Sequence, residues 1–201
     1  MSITLSSRAA RSAAAVLAAG SIVLLAGPAP GARAEEPAAA VAGGAPQDGA
    51  VQLRFDKNRK DPSDSRLYVI KGGSTVLAEF RAGSGTTTDE CATGRGWLPD
   101  GTYTVGQHYE KYDGDLIKGY AIRLSDKKCA NGTGRVRDQL FIHSEMNRDG
   151  SQGSTEQRRW TDSGPNDFRS KGCIKMRPEE IKKMFRLLER NGWPKTLRVV
   201  G

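Results

Sequence analysis

Residues 51–80 read VQLRFDKNRKDPSDSRLYVIKGGSTVLAEF, and three short apolar alternations inside this stretch set the fold class. Val51, Leu53 and Phe55 alternate with polar residues, as do Leu67 and Val69; Val76-Leu77 to Phe80 follow after Gly72-Gly73. A period of two places alternate side chains on opposite faces of a strand, so each run predicts a half-buried strand, and the glycines predict turns. Toward the C-terminus the pattern recurs. Thr102-Tyr103-Thr104-Val105 comes after the turn signal Pro99-Asp100-Gly101, Tyr120 to Leu124 follows Gly119, and Gln139 to His143 follows a glycine-rich loop. One helix interrupts: Pro178 stands at its first turn, Glu179 and Glu180 suit its N-terminus, and Ile181, Met184, Phe185 and Leu188 hold helical spacing before Gly192 and Pro194. Thr196 to Val200 predicts a closing strand. The expected architecture is mainly β, a sandwich or barrel with a helix between the late strands.

Upstream, Arg8 and Arg11 precede the apolar run Ala13 to Ala26, and Gly27, Pro28 and Pro30 lead to Ala32-Arg33-Ala34. A charged segment, a short apolar core and small residues flanking the cut read as a secretory signal, residues 1–34, cleaved after Ala34. The core is shorter than the roughly 20 apolar residues a membrane helix needs, so no integral span is expected after cleavage. Residues 35–50, rich in Ala, Gly and Pro, predict a flexible linker, and residues 51–201 one domain large enough for its own core.

The formal charge is +8 and stays positive without Arg8, Arg11 and Arg33. For an exported chain this surplus suits an anionic cell wall; the cations form no stripe interleaved with aromatics, so no nucleic-acid partner is expected. The 3 cysteines, Cys91, Cys129 and Cys173, leave one thiol over when two pair, and composition leaves all three pairings open. No CxxC or HxxxH spacing exists and there are only 2 histidines, so neither a metal nor a cofactor is expected.

The residues with reactive chemistry are Ser170-Lys171-Gly172-Cys173-Ile174-Lys175-Met176, a cysteine directly after glycine that is expected to lie ahead of the helix. A thiol attacks only as thiolate, so it needs a base or positive charge nearby. His143, ending the run Leu140-Phe141-Ile142, is the natural base, whereas His108 lies in a polar stretch and is expected at the surface.

Together, FIHS at residues 141–144 and SKGCIKM at 170–176 resemble the paired signature of the L,D-transpeptidase (YkuD-type) catalytic domain. Residues 98–105, LPDGTYTV, are similar to that family's Thr-Pro-x-Gly-x-Phe/Tyr segment. The opening hairpin around Leu67 to Phe80, and the helix followed by Gly192-Trp193-Pro194 and a last strand, resemble it in order over nearly all of 51–201.

The resemblance implies that Cys173 is an acyl-forming nucleophile, that His143 is its base, oriented by the backbone carbonyl of Ser144, and that the amides of Gly172 and Cys173 face the oxyanion. The implied substrates are peptidoglycan stem peptides and the implied activity is L,D-transpeptidation by a secreted, wall-located monomer. An L,D-carboxypeptidase using the same site, or a wall-binding module on the same fold, is the alternative. The commonest family motif is Ser/Thr-His-Gly-Cys; Lys171 replaces its histidine, and Lys175 stands where members have Asn or Arg. Lys175, Ser170 and Lys171 are the expected substrate-binding residues. His143 and Ser170 are further apart than the family usually has them, with the excess in 147–169, a stretch whose look fits a lid or a surface insertion. If Cys173 is catalytic, Cys91 and Cys129 remain to form a disulfide.

Overall fold

The computed structural model describes residues 49–155, 157–161 and 165–201; the expected signal, and the linker up to residue 48, lie outside them. The opening alternations form β1 (Val51–Asp56), β2 (Ser65–Lys71) and β3 (Thr75–Ser84). Register follows the apolar pattern, with Leu53 opposite Val69 and Phe55 opposite Leu67, all four buried. A slip of one residue would turn this entire set to the outside, which is why the alternation specifies the pairing.

Next come β4 (Gly101–Asp113), β5 (Lys118–Leu124), β6 (Lys127–Lys128), β7 (Val136–Arg137), β8 (Phe141–His143), β9 (Ile174–Met176), α1 (Pro178–Asn191) and β10 (Thr196–Val200). Eight strands close a barrel in the order β1-β10-β4-β5-β8-β9-β3-β2, while β6 and β7 pair separately. Within the barrel β1 runs parallel to β10 and β8 parallel to β9; the other pairs are antiparallel. The mainly β architecture, with one helix between late strands, agrees with the sequence.

Ile181, Met184, Phe185 and Leu188 form the buried stripe of α1, and they join Leu53, Phe55, Leu67, Tyr103, Ile122 and Ile142 in one core. Burying each such side chain contributes about 1.5–3 kcal/mol. The helix stops at Gly192, whose φ of 99° suits glycine and whose N–H donates to the Leu188 carbonyl at 2.8 Å.

Two elements differ from the sequence expectation. The segment after Cys173 enters β9 before the helix begins, because it fills the slot between β3 and β8. β4 runs on to Asp113 through residues read as a polar connection; it pairs with β5 with two register shifts. His108 therefore lies on a strand, exposed, with its ring stacked on Trp193 at 3.4 Å.

Candidate active site

The parallel pairing of β8 with β9 aligns Ile142 with Ile174 and His143 with Lys175. Side chains two residues apart share a face of a strand. Cys173, two residues before Lys175 and immediately ahead of β9, therefore shares the face that carries Lys175 beside His143. Both His143 and Cys173 line a cavity of about 810 Å³ that also takes in Tyr112, Leu116, Gln139 and Lys171. Leu116 and its neighbours belong to the turn joining β4 and β5, so the extended hairpin forms one wall.

His143 is buried, and its Nδ1 lies 3.1 Å from the Ser144 carbonyl oxygen. A carbonyl only accepts, so Nδ1 carries the proton and Nε2 is left as the basic nitrogen. Burial, with the nearby Lys175 ammonium, lowers the imidazole pKa to about 4 against the opposing pull of the Ser144 carbonyl. Cys173 is half-buried, and its thiol donates to the Gln139 carbonyl at 3.6 Å. Desolvation pushes it up to about 11, countered by the Phe141 amide and by Arg137 and Arg123. Near neutral pH the cavity thus holds a neutral thiol and a neutral imidazole.

The loop before Cys173 is held by backbone contacts. Ser170 Oγ accepts from the amides of Gly85 at 2.9 Å and Gly172 at 3.1 Å, and donates to the Cys173 carbonyl at 2.6 Å. The Gly172 amide hydrogen thus goes to the Ser170 hydroxyl, and Ser170, which also lines the cavity, ties the loop together. Lys175 is also engaged inward: its ammonium pairs with Glu145 and donates to the Arg169 carbonyl at 2.9 Å. All three expected substrate-binding residues line the cavity, Lys171 exposed, Ser170 half-buried and Lys175 buried.

Sequence reasoning missed Arg137. It is buried at 5% exposure and lines the same cavity. Its guanidinium donates to the carbonyls of Gly96 at 3.1 Å, Lys171 at 3.0 Å and Trp97 at 3.4 Å, and to that of Glu90. Nothing in the run Gly134-Arg135-Val136-Arg137 distinguishes this arginine from an exposed one. Its place comes from the β6–β7 pair and from the bond between Cys91 and Cys129, whose Cα atoms are 5.5 Å apart. Cys173 is the free cysteine.

The long insertion is anchored by Trp160 and Phe168, both buried and packed edge to face at 4.8 Å, while Gln157 and Arg169 reach the cavity. Among the described residues, no group of His, Cys, Asp or Glu could hold a metal ion.

A cysteine and a histidine thus line one cavity, carried by the ends of two paired parallel strands. A profile of the YkuD L,D-transpeptidase catalytic domain matches residues 60–200. The chain belongs to this family. L,D-transpeptidase domains act on peptidoglycan, and the barrel with its late helix is their fold. Among solved structures, the chain is similar to Bd1075 of Bdellovibrio bacteriovorus, at 16% identity and a TM-score of 0.47, over 75% of this chain and 47% of that one. It is similar also to the helical cell shape determining protein Pgp2 from Campylobacter jejuni, at 17% identity and a TM-score of 0.48, over 75% of this chain and 48% of that one. The chain covers just under half the length of each. No curated protein matches it in sequence.

Proposed function

We propose that the protein is a secreted L,D-transpeptidase in which Cys173 is the nucleophile and His143 the base. The observation that carries this reading is the shared cavity of His143 and Cys173, with the imidazole tautomer fixed by the Ser144 carbonyl. In the first step His143 Nε2 takes the thiol proton as sulfur bonds to the carbonyl carbon of an L,D peptide bond. The C–N bond then breaks, the imidazolium returns its proton to the departing amine, and an acyl-enzyme remains. An acceptor amine attacks the thioester, giving up a proton to His143, and restores the thiol; water in that role gives a carboxypeptidase instead.

Because the thiol sits near 11 and the imidazole near 4, the proton moves during attack and not before it. The Cys173 amide is left as the candidate oxyanion donor on this loop, since that of Gly172 is taken. Export is proposed on the signal at residues 1–34 and on the disulfide, which persists in oxidising compartments. Among the described residues no helix is long and apolar enough to cross a membrane.

The test is incubation of the protein with a defined disaccharide tetrapeptide, with products weighed by mass spectrometry. Dimer with loss of one D-residue is the expected product. Loss of the residue without dimer identifies the carboxypeptidase, and no change identifies a binding module. Cys173→Ala is expected to abolish turnover and His143→Ala to lower it by about 10³-fold or more, since the two act as one unit. Full activity in Cys173→Ala would end the cysteine mechanism.

A further inference from the structure

We propose that Arg137 is a positioning residue of this site, one that holds the Cys173 loop through the Lys171 carbonyl and supplies the positive charge against which the thiolate forms. The inference rests on Cys173 being the nucleophile.

Arg137 bonds four carbonyls drawn from two separate segments, residues 90–97 and residue 171. These bonds engage both terminal nitrogens of the guanidinium without neutralising it. Among the described residues no carboxylate pairs with it, although it is 5% exposed. A buried charge without a counterion is costly, and its field is felt strongly by any neighbour that can become an anion. That neighbour is two residues beyond Lys171. Gly172, between them, has a φ of 126°, and a Cβ there would collide with the Arg137 guanidinium. The backbone of the nucleophile loop is therefore laid directly on the cation, at a position only glycine can fill.

The remaining charged groups do not offer the same support. His143 is neutral at rest, and the Lys175 ammonium is already paired with Glu145. Arg123 from β5 also acts on the thiol, more weakly than Arg137, and it is paired with Asp126 at 3.5 Å. Arg135, Arg169 and Lys171 are exposed at the cavity, where water screens them, and Asp115 and Asp138 on the same walls oppose them. Arg137 is the buried one, and its effect on the thiol is in the direction of the anion.

The experiment is the pH dependence of the Cys173 alkylation rate with iodoacetamide, followed along its rising limb between pH 7 and 10 on the wild-type protein, Arg137→Gln and Arg137→Lys. Each is first checked for native circular dichroism. Thiolate alone reacts, so the profile reports the thiol directly and needs no wall substrate. Arg137→Gln is expected to move the profile up by about one pH unit, which lowers the rate about tenfold at any pH below the midpoint. Arg137→Lys, which keeps a charge but not the planar fork, is expected to stay within about 0.3 unit of wild type.

An unmoved rising limb in folded Arg137→Gln overturns the proposal. So does a shift in Arg137→Lys as large as that in Arg137→Gln. Should Arg137→Gln not fold, Arg137→Met replaces it under the same criteria: a profile about one unit above wild type supports the charge as agent, and one within about 0.3 unit of wild type refutes it. Failure to turn over stem peptides, with the shift intact, would remove the enzymatic reading and leave only the effect of Arg137 on the Cys173 thiol.

Discussion

At His143, burial and hydrogen bonding pull the imidazole in opposite directions, and burial wins, placing its pKa near 4 in place of an ordinary value of 6.5. As the proposed base it is therefore ready well below neutrality, and the acid limb of kcat/KM is expected near pH 4; a limb near 6.5 would show that another group, or a solvated imidazole, controls the rate. The same shift bears on stability. Between pH 6.5 and 4 the unfolded chain binds a proton at this residue that the folded chain does not, so the folded state loses ground as pH falls. The stability this residue leaves intact above pH 6.5 declines by about 3 kcal/mol by pH 4. His143→Gln should flatten this difference between melting temperatures at pH 7 and pH 4.5, and an equal drop in both proteins would place the acid sensitivity elsewhere. The sequence could single out His143 and Cys173 because each sits in a short motif with the residue types the proposed chemistry needs. It could not single out Arg137, since a lone arginine in a polar loop has no periodicity; only closure of β6 on β7 buries it.

Among the elements, the strands with clean alternation were legible and those without it were not. β9 has only three residues, all buried, too few to display a period, and the second half of β4 is largely exposed, so its polar composition reads as a connection. The nucleophile loop lies between these cases: its sequence disclosed a glycine turn ahead of a cysteine, but not that a serine hydroxyl would tie three backbone groups together. Ser170→Ala removes that tie and leaves buried amides short of an acceptor, so it is expected to cost about 1–3 kcal/mol of stability and to lower kcat about tenfold or more through a displaced thiol. Lys171→Ala removes an exposed ammonium but keeps the carbonyl that Arg137 holds, and activity within about threefold of wild type is expected. Turnover and thermal melts of the two variants separate these effects. A collapse in Lys171→Ala comparable to that in His143→Ala would show that the base has been misassigned.

Across the whole molecule, the cavity wall that holds Arg137 is fastened twice. The Cys91–Cys129 bond closes a separation of 38 residues between the loop after β3 and the β6–β7 pair. Independently, the wholly buried Lys57 ammonium binds Glu90 at 3.0 Å, Asp100 at 2.9 Å and the Leu98 carbonyl at 3.1 Å. A crosslink over this length stabilises by about 4 kcal/mol, mainly through the unfolded chain. For a domain of this size reduction is therefore expected to lower the melting temperature by about 8–16 °C. The ion pairs of Lys57 remain when the crosslink is gone, so Glu90 keeps its place and its carbonyl keeps Arg137. Activity at low temperature is accordingly expected to survive reduction. Labelling with a thiol reagent before reduction should mark Cys173 alone, and the same label on Cys173→Ala should find nothing. A label on Cys91 or Cys129 in the unreduced protein would remove the pairing. Loss of activity on mild reduction, with the fold retained, would show that the disulfide, and not the buried Lys57 cluster, holds the wall of the site.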